Sequence, residues 1–521
     1  MRLAKQSDDA EVLIAGAGPT GLVLALWLTR LGVRVRIVDK TSQPGTTSRA
    51  LAVQARTLEF YGQLGFADEV VAQWRWATEA NLWVKGRRAA KIRFDGMGSE
   101  ISPYPDPLIY PQDEHERLLI ERLTDLGVTV ERQTEVLGFE ETDDRVQISL
   151  RKPDGSEETC AVEYVAGCDG ARSTMREHLG IGFPGGTYEH LFYVADVQAT
   201  GQAVNGDLNI ALERSDFLVV FPLRGEGRAR FIGTVKDDSR KPEELSWDSV
   251  NKGIVEHLRT DVQRVNWFST YRVHHRVADR FRKGRSFLLG DAAHIHSPVG
   301  GQGMNTGIGD AVNLAWKLAA VLRGRAKVAL LDTYEPERIA FARRLVATTD
   351  RAFTTVTSSG SLARFVRLRI VPVLAPLLFS SRMLRRLLFR TVSQVNVNYR
   401  TSSLSRGRVG SIHAGDRLPW VKVGLDRAGP DGAGEDNFAP LKSLDWQLHL
   451  YGEAAPEVRA FYLEQKLPLH VFPWRAEMKR SGLRRSALYL VRPDGYVAVA
   501  ANQNCVETVR SYLAEWGFSS V

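Results

Sequence analysis

The glycine motif near the N-terminus places the strongest constraint on the fold. Val12–Ala15 is a short apolar run, and Gly16-Ala17-Gly18-Pro19-Thr20-Gly21 follows it directly. An amphipathic stretch then extends to about Leu31, and a second apolar run, Val33–Val38, ends at Asp39. A strand, G-x-G-x-x-G, a helix, a strand and an acidic residue about 20 positions on form the arrangement that binds dinucleotides. The glycines clear space for a pyrophosphate, the helix N-terminus neutralises it, and the acidic residue can hold a ribose.

Two further segments place an aspartate and glycines after an apolar run. Tyr164–Gly167 leads into Cys168-Asp169-Gly170, and Ser286–Leu289 leads into Gly290-Asp291-Ala292-Ala293-His294. The second segment continues as Ser297-Pro298-Val299-Gly300-Gly301-Gln302-Gly303-Met304-Asn305 and opens a long helical pattern. Glycines let the backbone approach a ligand closely, and a helix N-terminus offers unpaired N–H groups. Each loop alone could be an ordinary βα turn, but the three together predict a site for a polar cofactor.

A change of periodicity between residues 188 and 236 predicts a second, inserted unit. Apolar and polar residues alternate there in short runs, which indicates an antiparallel sheet. The runs are Leu191–Val194, Leu208–Leu212, Phe217–Phe221 and Ala229–Gly233. We expect this sheet to cover a pocket over the cofactor.

The C-terminal part divides into a basic apolar segment and a small βα unit. Residues 362–399 mix arginines with apolar runs, which predicts helices that pack one face on the protein; docking on a membrane or an acidic partner is the alternative. Beyond a Gly/Asp-rich break at 426–436, Leu444–Leu450 predicts a strand. Residues 488–498 predict a hairpin with a Pro-Asp-Gly turn, and Cys505–Trp516 predicts a closing helix.

Composition argues against several other classes of protein. The 521 residues carry a net charge of +8 without a dense basic run, so no nucleic-acid partner is expected. Cys160, Cys168 and Cys505 have no metal-ligand spacing and are too few for a disulfide framework, so we expect no metal site and a cytoplasmic location. Residues 1–9 are polar, and no apolar run reaches the ~18 residues of a membrane span, so stable membrane insertion is not expected. A monomer and a homodimer both remain open.

The three motifs in this order resemble those of the flavin-dependent aromatic hydroxylases, the single-component class A flavoprotein monooxygenases. The likeness covers most of the chain before about residue 345. The tail, with Pro493-Asp494-Gly495-Tyr496-Val497-Ala498, is similar to the thioredoxin-like domain of phenol hydroxylases and bacterial polyketide hydroxylases. This tail lacks a C-x-x-C pair, so a thiol redox role is not expected there.

The resemblance implies an α/β fold with three parts. A Rossmann-like FAD-binding domain would span residues 1–182 and 275–350, with an antiparallel-sheet substrate domain of the p-hydroxybenzoate hydroxylase kind inserted at 183–274. A helical connection at 351–400 would lead to a C-terminal thioredoxin-like domain at 401–521.

The resemblance also implies roles for individual residues. Asp39 would bind the adenosine ribose, Gln112 would line the pyrophosphate and ribityl chain, and Val136 would approach the adenine through its backbone. Arg49 would join Gln112, although on chemistry alone an ordinary surface arginine is an equal alternative. The full set of implied cofactor-binding residues is Gly16, Gly18, Pro19, Thr20, Gly21, Asp39, Lys40, Arg49, Gln112, Val136, Asp169, Gly170, Asp291, Pro298, Gly301, Gly303, Met304 and Asn305.

The implied catalytic residues are those that would face the flavin ring. Gly303 and Met304 would present backbone N–H groups near the flavin pyrimidine, and Pro298 would lie beside the ring where the substrate docks. No residue is identified as a general base. We expect structural polar roles for His294 and His296, and Cys168 is expected to be a small buried residue.

The implied activity is an FAD- and NAD(P)H-dependent monooxygenation. One oxygen atom of O2 would enter a phenolic or polycyclic aromatic, polyketide-like substrate through a flavin hydroperoxide. Baeyer–Villiger oxygenation or antibiotic modification on the same fold is the alternative, and a flavin-binding interaction module is a remote one. The halogenase motif W-x-W-x-I-P is missing, since Trp74-Arg75-Trp76 continues as Ala77-Thr78.

Overall fold

The described part of the chain folds around five β-sheets in a computed structural model. The structure describes residues 10–45, 50–213, 217–235, 245–357, 360, 365–424, 436–503 and 505–518, so Arg49 and most of the Gly/Asp-rich break lie outside the described residues. The α-helices among them are α1 (Pro19–Arg30), α2 (Ala55–Leu64), α3 (Ala67–Gln73), α4 (Gln112–Asp125), α5 (Thr174–His178), α6 (Lys252–His257), α7 (Gly303–Leu322), α8 (Tyr334–Thr357), α9 (Val371–Ser380), α10 (Arg382–Val392), α11 (Pro456–Gln465), α12 (Ala476–Arg480) and α13 (Val506–Trp516).

A largely parallel six-stranded sheet forms the Rossmann-like core, with strand order β18-β19-β12-β1-β2-β8. Its strands are β1 (Val12–Ala15), β2 (Val35–Val38), β8 (Val130–Glu131), β12 (Tyr164–Gly167), β18 (Arg282–Lys283) and β19 (Ser286–Leu288). β1 is parallel to both β2 and β12, and β12 is parallel to β19. Because parallel strands end at the same sheet edge, the three glycine motifs that follow β1, β12 and β19 meet there.

An eight-stranded sheet stands beside this core, in the order β20-β17-β13-β16-β15-β14-β5-β6. Its strands are β5 (Glu79–Val84), β6 (Arg87–Arg93), β13 (Gly185–Gly201), β14 (Leu208–Leu212), β15 (Phe217–Pro222), β16 (Arg228–Thr234), β17 (Thr260–Val277) and β20 (His294–Ile295). The four predicted strands are confirmed as β13 to β16, and the pairs β13–β16, β15–β16 and β14–β15 are antiparallel. The sheet also recruits residues 79–93, because β5 pairs in parallel with β14.

Two three-stranded sheets complete the first part of the chain. One holds a hairpin whose turn contains Pro153, Asp154 and Gly155, and the other lies before α4. Their strands are β9 (Glu135–Glu141), β10 (Val146–Arg151) and β11 (Glu157–Val162), and β3 (Ala52–Val53), β4 (Arg75–Trp76) and β7 (Leu108–Ile109).

The C-terminal sheet has the thioredoxin arrangement. Its strands are β21 (Arg406–Val409), β22 (Ile412–His413), β23 (Gln447–Tyr451), β24 (Leu469–Phe472), β25 (Ala487–Val491) and β26 (Val497–Asn502). β23, α11 and β24 form a parallel βαβ unit. β25 pairs antiparallel with β23, β26 pairs antiparallel with β25, and α13 closes the motif. β21 and β22 extend the sheet beyond β26.

Buried charges join this C-terminal unit to the Rossmann-like part. Arg492 lies between Glu337, at 2.9 Å, and Asp494, at 2.6 Å. Lys317 of α7 also binds Glu337, at 2.8 Å, and Trp316 Nε1 donates to Asp494. Burial would raise the pKa of Glu337, but Arg492 and Lys317 hold it well below its usual range. All four charged side chains are buried, so removing one leaves the others with too little compensating charge in a desolvated site.

A second buried cluster fixes α2 to the same unit. Glu59 of α2 accepts from Arg417 Nε at 2.8 Å, from Arg56 at 2.8 Å and from the Ser102 hydroxyl at 2.6 Å. Arg56 also donates to the backbone oxygen of Asp494 at 2.6 Å. The C-terminal unit is thus joined to α2 by buried ion pairs and hydrogen bonds.

The segment between α8 and β21 forms a short turn of π-helix, Val366–Ile370, followed by α9 and α10. α9 lies next to β6, the outer strand of the eight-stranded sheet. Among the described residues, no helix is both long and apolar enough to cross a membrane.

Candidate active site

Two glycines of the first motif are required by close packing, and a third faces open space. Gly16 has φ +103°, and a Cβ there would lie 2.3 Å from the Cys168 carbonyl oxygen. A Cβ on Gly21 would lie 2.0 Å from the Gly16 carbonyl oxygen, whereas a Cβ on Gly18 would have no described atom within 4 Å. Gly16 and Gly21 are therefore required by the fold, and Gly18 leaves room in front of α1 for a ligand.

Thr20 joins the first motif to the third. A Cβ on Gly290, which has φ +58°, would lie 2.7 Å from Thr20 Oγ1, and one on Gly307 would lie 2.3 Å from the same atom. The start of α1, the turn after β19 and the first part of α7 are thus in direct contact. Together with the contact between Gly16 and Cys168, this brings all three sequence motifs to one place, as predicted.

Two helices aim their N-termini into this region. α1 begins at Pro19, and its first turn carries N–H groups that have no partner within the helix. The 20-residue α7 begins at Gly303, so the N–H groups of Gly303, Met304 and Asn305 are likewise left over from the helical ladder. Both ends therefore favour negative charge, α1 for a phosphate group and α7 for an electron-rich ring.

Asp39 closes the glycine loop at the end of β2. Its Oδ2 accepts from the Ala17 N–H at 2.7 Å, and its Oδ1 accepts from the N–H and hydroxyl of Thr41 at 2.8 and 2.6 Å. A carboxylate offers about four acceptor positions, so one remains for a ribose hydroxyl. Thr134, two residues before Val136, donates its N–H to the Asp39 carbonyl oxygen at 2.9 Å, which brings the start of β9 to the same edge.

Asp169 carries one unused acceptor oxygen. Its Oδ2 accepts from the Met175 N–H at 3.0 Å, but its Oδ1 is buried and finds no hydrogen-bond partner among the described residues. The neighbouring Gly170 has φ +80°, and a Cβ there would meet no described atom within 4 Å. An orphaned acceptor fits a hydroxyl group of a dinucleotide such as FAD, which can donate a hydrogen bond to it.

Asn305 is a structural clamp rather than a side-chain ligand. Its Oδ1 accepts from the Gln54 N–H at 2.9 Å and the Thr57 hydroxyl at 2.8 Å, and its Nδ2 donates to Ala52 and Gly301 carbonyl oxygens, both at 2.9 Å. With every side-chain position engaged, only the backbone N–H of Asn305 can serve a ligand. The clamp fixes the start of α7 against the start of α2.

A buried triad, missed in the sequence, supports the third motif. Asp310 of α7 accepts from the Gly290 N–H at 3.0 Å, from His294 Nε2 at 2.7 Å and from Arg338 Nε at 2.6 Å. Burial would raise the pKa of Asp310, but Arg338 and His294 lower it. His294 thus has the expected structural role. Asp310, Asn313 and Lys317 share one face of α7 at helical spacing. This polar stripe in an otherwise apolar helix is the sequence feature from which a buried polar cluster could have been predicted.

His296 faces the start of α7 in a neutral form. Its Nδ1 lies 2.8 Å from the Ser297 carbonyl oxygen, and its Nε2 is buried without a partner in the described part of the chain. A Cβ on Gly303 would lie 3.9 Å from that Nε2. Burial first, and then the charge of His294, lower the pKa of His296 to about 4. At neutral pH its imidazole offers a hydrogen bond and no charge.

The remaining predicted residues differ in exposure. Asp291 is exposed on the one-turn helix Gly290–Ala292, and Pro298 is exposed at the start of the next turn, Val299–Gly301. Lys40 is exposed beyond β2. Gln112, the first residue of α4, donates to Glu116 at 2.7 Å.

The eight-stranded sheet includes part of the third glycine motif. β20, which is part of the third motif, pairs with the end of β17 through Arg276 with Ile295 and Val277 with His294. The third motif therefore connects the two sheets, because it follows β19 of the six-stranded sheet and contains β20 of the eight-stranded sheet. This pairing fixes where the inserted sheet stands relative to the cleft.

Comparison with known proteins places these features in a family. Residues 9–349 match the FAD binding domain family, and the chain belongs to it. It is an enzyme of the flavin-dependent monooxygenase type, with FAD as its cofactor and NAD(P)H as co-substrate.

Relatives with known activities share this architecture. The chain is 34% identical to 6-methylpretetramide 4-monooxygenase of Streptomyces rimosus over 98% of its own length and 94% of that protein. It is 33% identical to pentachlorophenol 4-monooxygenase of Sphingobium chlorophenolicum, over 80% and 77% of the two chains. The structure of the anhydrotetracycline hydroxylase of Streptomyces rimosus superposes with a TM-score of 0.78 at 27% identity, covering 98% of this chain and 99% of that one.

Proposed function

We propose that this chain hydroxylates a polycyclic aromatic compound of the polyketide type, using FAD, NAD(P)H and O2. The observation that carries the substrate class is the near full-length likeness to 6-methylpretetramide 4-monooxygenase, which includes the C-terminal unit. The likeness to pentachlorophenol 4-monooxygenase covers less of both chains, so a fused-ring substrate is favoured over a single phenol ring. When bound, FAD accepts a hydride from NAD(P)H and activates O2.

The pyrophosphate of FAD would lie in front of Gly18, where the first turn of α1 supplies N–H groups and positive potential. Asp39 would hold the adenosine ribose with its remaining acceptor position. The free Oδ1 of Asp169 would accept a hydrogen bond from a cofactor hydroxyl at the same edge. We assign these residues as the anchors that orient the cofactor.

The start of α7 would stand at the flavin ring. The N–H groups of Gly303 and Met304 favour negative charge on the ring without any residue having to ionise. His296 would add a neutral hydrogen-bonding group, because its lowered pKa keeps the imidazole uncharged. The inserted sheet, tied to this loop through β20, would exclude water from the ring and position the substrate.

We further propose a cytosolic location. The three cysteines of the sequence are too few for a disulfide framework, and Cys160 is a buried thiol. A chain of this size without such a framework fits a reducing compartment.

The test is NADPH consumption in air by the FAD-loaded enzyme with a panel of fused-ring aromatic polyketides and simple phenols. We expect a substrate-dependent rise with the fused-ring compounds, and one atom from oxygen-18 gas in the product. Product structure separates ring hydroxylation from the ester of a Baeyer–Villiger reaction. Oxygen incorporation with simple phenols alone would overturn the proposed substrate class.

A further inference from the structure

The segment from Phe365 to Val392 forms an outward-facing surface that we term the helical shelf. It consists of the π-helical turn, α9 and α10. It contains six arginines and no aspartate or glutamate, in a chain with 61 acidic residues among 521. Its arginines are Arg367, Arg369, Arg382, Arg385, Arg386 and Arg390. So strong a bias toward one charge requires an explanation beyond that of an ordinary solvated surface.

The shelf also exposes large apolar side chains. Val373 is 65% exposed, Leu377 61%, Met383 79% and Leu387 55%. With Phe365, Ile370, Leu374 and Leu378, the shelf accounts for eight of the twelve exposed large hydrophobic residues in the described part of the chain. A cluster of this kind marks a site that binds another surface, since soluble proteins rarely expose contiguous apolar patches.

The inner side of the shelf is fixed to the protein. Phe379 of α9 packs edge-on against Phe94, with ring centroids 5.4 Å apart. Phe389 of α10 is buried beneath Gly98, where a Cβ would lie 2.2 Å from the ring. Arg386 forms an ion pair with Glu100. The outer apolar residues are therefore presented by an anchored support.

We propose that the helical shelf docks reversibly on an anionic lipid surface. The two helices, of 10 and 11 residues, are each about 15 Å long at 1.5 Å per residue, too short to span a bilayer but suited to lie in its headgroup region. Arginine forks match lipid phosphates, and apolar side chains between them enter the acyl boundary. The neighbouring β6 adds the cations Arg87 and Arg88, whereas its Lys91 and Arg93 pair with Glu79.

Charge argues against a second copy as the occupant. An isologous dimer through the shelf would bring the arginines of both copies together without any acidic residue of the shelf between them. An anionic bilayer instead supplies negative charge at every position of a broad face.

Docking would also bring the inserted sheet to a lipid surface, because β6 is the outer strand of that sheet. Poorly soluble polycyclic compounds concentrate at such surfaces. This consequence rests on the proposed function, whereas the docking itself does not.

The test is co-sedimentation of the full-length, FAD-loaded enzyme with vesicles of phosphatidylglycerol and phosphatidylcholine in equal parts, and with pure phosphatidylcholine vesicles. We expect at least tenfold stronger partitioning to the anionic vesicles, weakened by added salt. The double variant Leu377→Ser, Met383→Ser and the double variant Arg369→Gln, Arg382→Gln should each lose at least tenfold. The matched control is Val328→Ser, Leu463→Ser, which alters two residues of 58% and 66% exposure elsewhere and should bind as the parent does.

All variants should retain bound FAD and basal NADPH oxidation, which shows that they are folded. Equal or absent binding to the two vesicle types overturns the proposal, as does unchanged binding by both shelf variants. Sedimentation velocity tests whether the shelf is instead an interface between two copies. A dimer that dissociates in the double variant Leu377→Ser, Met383→Ser would show such an interface and would also overturn lipid docking. Absence of vesicle binding would leave the proposed oxygenation untouched, so the two proposals fail separately.

Discussion

Replacing Arg492 by methionine tests whether the C-terminal unit and the Rossmann-like part unfold together. The substitution Arg492→Met keeps an apolar stem in the buried junction but leaves Glu337 and Asp494 without their shared cation. Removing one member of a buried ionic cluster costs about 3–5 kcal/mol, because the remaining charges stay desolvated. Trp316 and Lys317 keep one contact each to the two carboxylates, so we take ~4 kcal/mol as the expected loss.

The size of the shift in melting temperature then reveals the cooperative unit. The unfolding entropy is about 2.1 cal/mol/K per residue, or ~1.1 kcal/mol/K for all 521 residues, so ~4 kcal/mol lowers the Tm by about 4 °C. If the last ~120 residues melt alone, their unfolding entropy is ~0.25 kcal/mol/K and the same loss lowers their Tm by about 16 °C. Because the junction links both parts through buried charges, we expect the smaller shift and a single transition.

Differential scanning calorimetry of the FAD-loaded enzyme makes the measurement. Arg510→Met is the matched control, since Arg510 pairs with Glu464 and Glu507 at the surface of the same unit and should leave the Tm unchanged. A Tm for Arg492→Met equal to that of the control would refute the reasoning. It would mean that the buried charges relax or are solvated.

Three other predictions concern the cofactor site and two buried histidines. Gly18→Val should fold, because a Cβ there meets no described protein atom within 4 Å, but it should be purified without FAD, because the side chain occupies the space assigned to the pyrophosphate. Gly21→Ala should impair folding itself, because its Cβ would lie 2.0 Å from a backbone oxygen. Stoichiometric flavin absorbance from Gly18→Val would contradict the assigned pyrophosphate position. Asn305→Ala should lower the free energy of unfolding in urea by about 1–3 kcal/mol and weaken FAD retention, since buried backbone groups lose partners; normal stability would argue against the clamp. Burial lowers the pKa of His115 and of His449 to about 3, so between pH 6.5 and 3 the unfolded state binds more protons than the folded state. Stability is therefore complete above pH 6.5 and falls on acidification, by about 2 kcal/mol per histidine at pH 5, and His449→Gln should remove its share of the slope in urea titrations at several pH values.

Local signals in the sequence were sufficient for the Rossmann-like core. The first motif lies within one βαβ unit, and Gly18 and Gly32 mark the helix limits close to where α1 begins and ends. The four short strands at 191–233 were also predictable, because alternation and turn residues are local. The hairpin at 488–498 and the closing helix were also predictable from local signals. The thioredoxin arrangement was implied by the resemblance of the tail, and its strand order needed the structure.

Features that depend on distant pairing could not be predicted. β17 was missed because its 18 residues are mostly half-buried or exposed, so polar and apolar positions do not alternate clearly. The parallel pairing of β5 with β14 joins segments more than 120 residues apart. In the site, Asn305 was singled out for its backbone N–H, and its side-chain clamp was not foreseen, because its partners Gln54 and Thr57 lie about 250 residues away in the sequence.

The composite origin of the eight-stranded sheet limits how this enzyme can be recombined with its relatives. A segment bounded at residues 183 and 274 would carry β14 without β5, leaving a row of unpaired backbone groups on an exposed strand edge. Such a fragment would be prone to aggregate, and a chimera exchanging only that segment would pair one parent's β14 with the other parent's β5. Directed evolution of substrate range should therefore exchange residues 79–93 together with the inserted strands, as one heritable block.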